Sequence, residues 1–129
     1  MAPKILIIDD DFQNREIVRE RLTRAGYDVA EAANGEEGLH LILKEKIDLV
    51  ILDIMMPKKD GWQVCKSLKT APKTKDIPVV VLTARNQSID ELRTWECGAD
   101  DYVTKPVDHV RLMSIVRGFL PQGEDPNGT

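Results

Sequence analysis

Only two cysteines, Cys65 and Cys97, and two histidines, His40 and His109, occur in the 129 residues. They are too far apart in sequence to make a metal-ligand spacing, so neither a zinc-type centre nor a disulfide scaffold is indicated. The expected state is a pair of reduced, partly buried thiols. No apolar run approaches the ~18 residues that a membrane span needs. The first such run, Ile5–Ile8, is too short for a signal-peptide core and meets three aspartates at once. A cytoplasmic protein is therefore expected. There is no excess of basic residues: the net charge is −4 and the pI is about 5.2. That balance argues against nucleic acid or an anionic membrane as a direct partner of these residues. Repeats are absent, and low complexity is confined to the Pro/Gly-rich stretch Pro121–Thr129.

The remainder is ordinary globular composition, 42% hydrophobic and 31% charged, enough for one domain with its own core. Residues 1–120 are expected to form that domain, and residues 121–129 a flexible tail or a truncated linker. Strand and helix patterns alternate five times. Ile5–Ile8, Asp48–Leu52 and Ile77–Leu82 are short, nearly continuous apolar runs, as strands buried on both faces require. Tyr27–Ala32 is a weaker strand and Asp101–Thr104 a short one.

Between the strands lie helical patterns. Asp11–Ala25 carries Val18, Leu22 and Ala25 on one face and stops at Gly26. Glu36–Lys44 places Leu39, Ile42 and Leu43 together, and a third helix aligns Val64, Leu68 and Ala71. Ser88–Glu96 is a modest helix stopped by Gly98. Pro106 is expected to open the last helix, with Leu112, Ile115, Val116 and Phe119 as its apolar face. Such alternation implies right-handed βαβ units. The expected fold class is α/β, a single doubly wound five-stranded parallel sheet in the order 2-1-3-4-5, (βα)5 and flavodoxin-like.

The chemically suggestive residues all follow strands: Asp9, Asp10 and Asp11 after the first, Asp53 after the third, Thr83 after the fourth, Lys105 after the fifth. In the order 2-1-3-4-5 the third strand lies between the first and fourth, so one pocket gathers them at the carboxyl edge. Lys105 lies two strands from Asp53, about 10 Å at the backbone, and its side chain must lean in. Clustered carboxylates repel unless a cation joins them, and an all-oxygen site with open positions suits Mg²⁺. A carboxylate can act as a nucleophile toward phosphorus, with the metal and a lysine neutralising the transferring group. Taken singly, each residue also has a plain structural reading. Asp11 makes a good helix cap, Asp53 a loop-initiating aspartate, Thr83 a strand-end hydroxyl and Lys105 a solvated charge. Trp62 and Trp95 read as packing residues.

Taken together the motifs resemble the receiver domain of two-component response regulators, CheY-like proteins. The matching stretches are Ile5-Leu6-Ile7-Ile8-Asp9-Asp10-Asp11, Leu52-Asp53-Ile54-Met55-Met56-Pro57 with Asp60-Gly61, Leu82-Thr83-Ala84, and Gly98-Ala99-Asp100-Asp101-Tyr102 with Thr104-Lys105-Pro106. The resemblance spans roughly residues 4 to 119. It implies Asp53 as phosphoacceptor and Asp10, Asp53 and the Met55 backbone carbonyl as ligands of Mg²⁺, for which Mn²⁺ could substitute. Asp9 helps position the ion, while Thr83 and Lys105 bind the phosphoryl group and Ala84 leaves room beside it. The bond before Pro106 is expected to be cis, and Thr83 with Tyr102 to form the switch. It also implies a histidine kinase or phosphotransfer protein as donor and a downstream effector or output domain as target. The responding face is that of the helix after strand 4, strand 5 and the last helix, through which a homodimer could also form. Met55 and Arg85, two residues beyond Asp53 and Thr83, occupy positions that tune phosphate lifetime in the resembling family.

Three other readings compete. A phosphorylation-independent interaction module with the same fold would usually lack the acceptor or the lysine, and both are present. An aspartyl-nucleophile phosphatase similar to haloacid-dehalogenase proteins would carry its nucleophile after the first strand in an Asp-x-Asp-x-Thr pattern. Here that stretch is Asp9-Asp10-Asp11-Phe12-Gln13. A nucleotide-binding flavodoxin relative would show a Gly-rich phosphate loop there, and none follows. The chain is thus expected to be a signalling domain that catalyses its own phosphorylation and dephosphorylation, rather than a metabolic enzyme.

Overall fold

The alternating apolar runs settle into a five-stranded, wholly parallel sheet. A computed structural model of the chain describes residues 2–54, 61–83 and 96–121. Its elements run β1 (Lys4–Ile8), α1 (Phe12–Arg24), β2 (Asp28–Ala32), α2 (Gly35–Lys44), β3 (Leu49–Asp53), α3 (Gly61–Thr70), β4 (Val79–Thr83), β5 (Asp101–Thr104) and α4 (His109–Phe119). The strand order is β2-β1-β3-β4-β5, the doubly wound arrangement that the sequence implies. The expected helix at Ser88–Glu96 falls on residues outside the described ones except for Glu96, as do residues 122–129 of the expected tail. No helix among the described residues is long and apolar enough to cross a membrane.

The two-residue period of a strand splits the core into two layers. Leu6, Ile8, Val50, Leu52, Val79 and Val81 meet Ile42 of α2 and Val64, Cys65 and Leu68 of α3. Ile5, Ile7, Leu49, Ile51, Val80 and Leu82 meet Val18 and Leu22 of α1 and Leu112, Met113 and Val116 of α4. Central strands covered on both sides have no polar face, which is why β3 and β4 are buried at every position. β2 lies at the sheet edge and is mostly half-exposed, in keeping with its weaker pattern.

Helix ends follow local capping chemistry. Asp11 accepts from the backbone N–H of Gln13 and Asn14 at the start of α1. Past its end, Gly26 takes a φ of 96°, which a residue with a Cβ would resist. Asn34 caps α2 through the N–H of Glu37. The last helix starts later than the proline pattern suggested. Asp108 caps it through the N–H of Arg111, so Pro106 stands before the helix in a turn. Gly61 opens α3 because a Cβ there would lie 2.3 Å from Ile54 Cα, an overlap with backbone.

Two helix faces differ from expectation. Leu43 is 70% exposed, because α2 turns Gly35, Gly38 and Ile42 to the sheet and keeps Leu39 and Leu41 at the rim. Phe119 is 38% exposed, and Met113 rather than Phe119 joins Leu112 and Val116 as a buried residue of α4. In both helices the buried face keeps helical spacing but includes residues outside the expected apolar stripe, the small Gly35 and Gly38 in α2 and Met113 in α4. The thiols, expected to be partly buried, are both buried, and their sulfurs touch at 3.0 Å.

Candidate functional site

At the carboxyl edge the three central strands end side by side. Asp53 is the last residue of β3 and pairs across to Leu82 of β4, while Thr83 pairs with Thr104 of β5. Asp9 and Asp10 follow β1, whose ladder with β3 runs through Ile8 and Leu52. The backbone continues these registers beyond the strands: Asp9 N donates to Ala32 O, Ile54 N to Leu82 O, and Lys105 N to Thr83 O at 2.7 Å. The sheet thus fixes the position of each functional Cα before any side chain is considered.

Asp9, Asp53 and Thr83 are each only 1% exposed, and Asp10 is exposed. Lys105 crosses the two-strand gap, and its ammonium reaches Asp53 Oδ2 at 2.7 Å. Carboxylate oxygens of Asp9, Asp10 and Asp53 lie within 4.8 Å of one another. Asp9 Oδ1 accepts from Asp11 N at 2.9 Å, but Asp9 Oδ2 is buried and no donor among the described residues reaches it. A buried carboxylate oxygen without a donor is costly as an anion. Burial, followed by the neighbouring Asp53 charge and the close approach of the two carboxyls, pushes Asp9 up to about 7. The Asp11 N–H and Lys105 oppose that rise. A divalent cation bound to oxygen fits this set, because it would neutralise the cluster and give Asp9 Oδ2 a partner.

The other expected positions divide. Asp11 lies outside the cluster and acts as the α1 cap. The Lys105–Pro106 peptide is cis. Tyr102 is half-buried against the layer of α2 and α3, its carbonyl accepts from Arg111, and the Arg111 guanidinium lies 5.9 Å from its ring centroid. Trp62 packs against the same layer. Met55, Ala84, Arg85 and Trp95 lie outside the described residues. One contributor escaped the sequence reading. Arg15 donates to the Asp9 carbonyl at 2.7 Å and pairs with Glu31, tying the acidic turn to α1 and β2. Nothing in the sequence separates Arg15 from the other arginines of α1, since its role depends on the fold of the turn.

Known proteins carry the same pattern. A family model for the response regulator receiver domain matches residues 5–117. The DNA-binding dual master transcriptional regulator RpaA of Synechocystis sp. strain PCC 6803 is 45% identical over 118 residues, covering 92% of this chain and 49% of RpaA. The chain spans about half the length of the curated relatives it matches. Among solved structures, chemotaxis protein CheY4 of Vibrio cholerae superposes with a TM-score of 0.87 at 28% identity, covering 93% of this chain and all of CheY4 (100%). The response regulator TrrA of Thermotoga maritima, solved in complex with Mg²⁺-BeF, superposes with a TM-score of 0.81 at 36% identity, covering 92% of this chain and 100% of TrrA.

These relatives correct one expectation. The acidic composition argued against nucleic acid as a partner, yet RpaA is by name DNA-binding and others are transcriptional regulators. Composition describes the surface of these 129 residues, whereas the relatives are about twice as long. With the acidic cluster at the sheet edge, the doubly wound topology and the family match over residues 5–117, this chain belongs to the receiver-domain family of two-component response regulators.

Proposed function

We propose that the chain is a phosphorylation-activated receiver in which Asp53 takes a phosphoryl group from a phosphohistidine on a sensor kinase or phosphotransfer protein. The observation that carries this reading is the Lys105 ammonium 2.7 Å from a buried Asp53 that shares its pocket with Asp9 and Asp10. In the transfer, a carboxylate oxygen of Asp53 forms the new P–O bond while the P–N bond to the donor imidazole breaks. The Lys105 ammonium follows the negative charge from the carboxylate to a phosphoryl oxygen, and the buried Thr83 hydroxyl donates to another. Asp10, Asp53 and the Met55 carbonyl would hold Mg²⁺, or Mn²⁺ in its place, with Asp9 positioning it. When bound, the ion would supply positive charge among the clustered carboxylates of Asp9, Asp10 and Asp53.

The response is a population shift. Phosphate on Asp53 draws Thr83 toward it, Tyr102 turns into the space, and the face that includes β5 and α4 changes its affinity for a partner. Such a change needs several kcal/mol of difference between states to be nearly complete. Hydrolysis on the same residues returns the chain to its starting form. By likeness to the DNA-binding relatives, the output reaches nucleic acid through a further domain of a longer protein.

The test is intact mass after incubation with a small-molecule phosphodonor, with and without Mg²⁺. The expected result is one metal-dependent phosphoryl addition to the wild type and none to Asp53→Asn. Equal addition to the variant, or none to the wild type, would overturn the assignment.

A further inference from the structure

The two cysteines stand 32 positions apart, yet their sulfurs lie 3.0 Å from each other, with the Cys97 thiol donating to Cys65 Sγ and the Cys65 thiol reaching toward the Cys97 carbonyl at 3.7 Å. Cys65 is on the inner face of α3, and Cys97 is in the turn before β5, next to Gly98 with its φ of 86°. A second contact joins the same two segments. Lys69, one helical turn beyond Cys65, pairs with Asp100 at 2.9 Å and donates to the Ile77 carbonyl at 3.0 Å. The juxtaposition of the sulfurs is therefore braced by a neighbouring ion pair. A disulfide bond is about 2.05 Å long, so about 1 Å of approach separates this contact from a covalent bond. Neither thiol takes part in the phosphoryl chemistry, and the pair lies in the same apolar layer on which Tyr102 packs.

We propose that Cys65 and Cys97 form a reversible intrachain disulfide under peroxide, tying α3 to the chain segment that leads into β5. The reaction balances as two thiols and one peroxide giving one disulfide and two waters. Cys97 is 7% exposed against 0% for Cys65, so its sulfur meets the oxidant first. Its sulfur takes one peroxide oxygen to form a sulfenic acid, with the other oxygen leaving as water. Cys65 Sγ then attacks Cys97 Sγ and displaces the second water. The hydrogen bond with Cys97, then burial, raise the Cys65 thiol well above the ordinary range. Lys69 opposes that rise and Asp100 adds to it, so the attack of Cys65 on the sulfenic acid is the step that alkali speeds. A dithiol reductant restores the starting state by exchange.

The test uses the whole chain, reduced, freed of reductant and exposed to graded hydrogen peroxide. The expected product loses the mass of two hydrogen atoms, has no alkylatable thiol after unfolding, and yields one cross-linked peptide holding Cys65 and Cys97. A dithiol returns both thiols. The oxidised chain should melt roughly 10–15 °C higher, as closure of a loop of this length implies. Cys65→Ala and Cys97→Ala, made separately, should each abolish the product. Two alkylatable thiols persisting at peroxide levels that already oxidise methionine would overturn the proposal, as would a cross-link between two chains or a lowered melting temperature. Phosphoryl uptake at Asp53, measured on both redox forms, is a separate readout, so failure of the disulfide and failure of the acceptor assignment are told apart.

Discussion

The two edges of the sheet handle charge in opposite ways. At the amino edge, Lys4, Asp48, Lys69 and Asp100 each have a partner. Asp48 accepts from Lys4 N at 2.8 Å, Lys4 Nζ pairs with Glu45, and Asp100 Oδ2 accepts from both Lys69 Nζ and Val79 N. At the carboxyl edge, the carboxylates of Asp9, Asp10 and Asp53 gather beside Lys105, and among the described residues no hydrogen-bond donor reaches Asp9 Oδ2. The same sheet supplies both edges, so the difference is one of composition at strand ends. Paired charges hold the strands in place; clustered carboxylates, one of them with an oxygen that no described donor reaches, suit a cation and a phosphoryl group. A site that stores electrostatic cost is stabilised by what it binds.

Substitutions at the two edges should therefore change stability with opposite signs. The largest effect is expected for Asp100→Ala at the amino edge, which leaves the mostly buried Lys69 ammonium and the Val79 N–H without that acceptor. Chemical denaturation should show a loss of about 3 kcal/mol, and a loss near zero would break the contrast.

At the carboxyl edge, Asp9→Asn should stabilise the metal-free chain by about 2 kcal/mol at pH 8. The sign follows from the raised carboxyl, pushed up to about 7 in the fold. Its stabilising contribution is full at low pH and is lost as pH rises through that value, so wild type is penalised at pH 8. The gain should shrink as pH falls toward the ordinary carboxylate range. The same variant should forfeit most of the rise in melting temperature that Mg²⁺ gives wild type. A destabilised variant with an intact Mg²⁺ response would reverse the reading of this edge.

The smallest effect concerns His109 at the start of α4. Burial, aided by Arg21 and opposed by Asp108, lowers its pKa. A depressed base gives stability that is present above the unfolded value and lost as pH falls through the folded one. Between about pH 6.5 and 5, wild type should lose stability slightly faster than His109→Gln in parallel urea titrations. Identical slopes would show that the helix start contributes nothing to acid sensitivity.

Much of this was legible in the amino-acid sequence. Continuous apolar runs at Ile5–Ile8 and Ile77–Leu82 suit strands covered on both faces, and their alternation with helical patterns points to a parallel sheet, which the structure shows in the order β2-β1-β3-β4-β5. The placement of Asp9, Asp53, Thr83 and Lys105 after four strands is also a property of the sequence, because chain order and sheet order together bring strand ends to one edge. The face of a short helix is decided differently. Leu43 and Phe119 fit an apolar stripe by spacing, but the packed sheet covers Gly35, Gly38 and Ile42 of α2 and Leu112, Met113 and Val116 of α4 more completely.

What the sequence by itself determined was the fold, the edge at which the site lies and the residue types that gather there, since these depend on periodicity and order along the chain. Tertiary structure alone decided which charges are left unmatched and which thiols meet. The donor missing among the described residues at Asp9 Oδ2, the hold of Arg15 on the acidic turn and the 3.0 Å contact of Cys65 with Cys97 depend on how the chain packs. Hydrogen bonds and thiol contacts act over a few ångströms, so only the packed chain sets them.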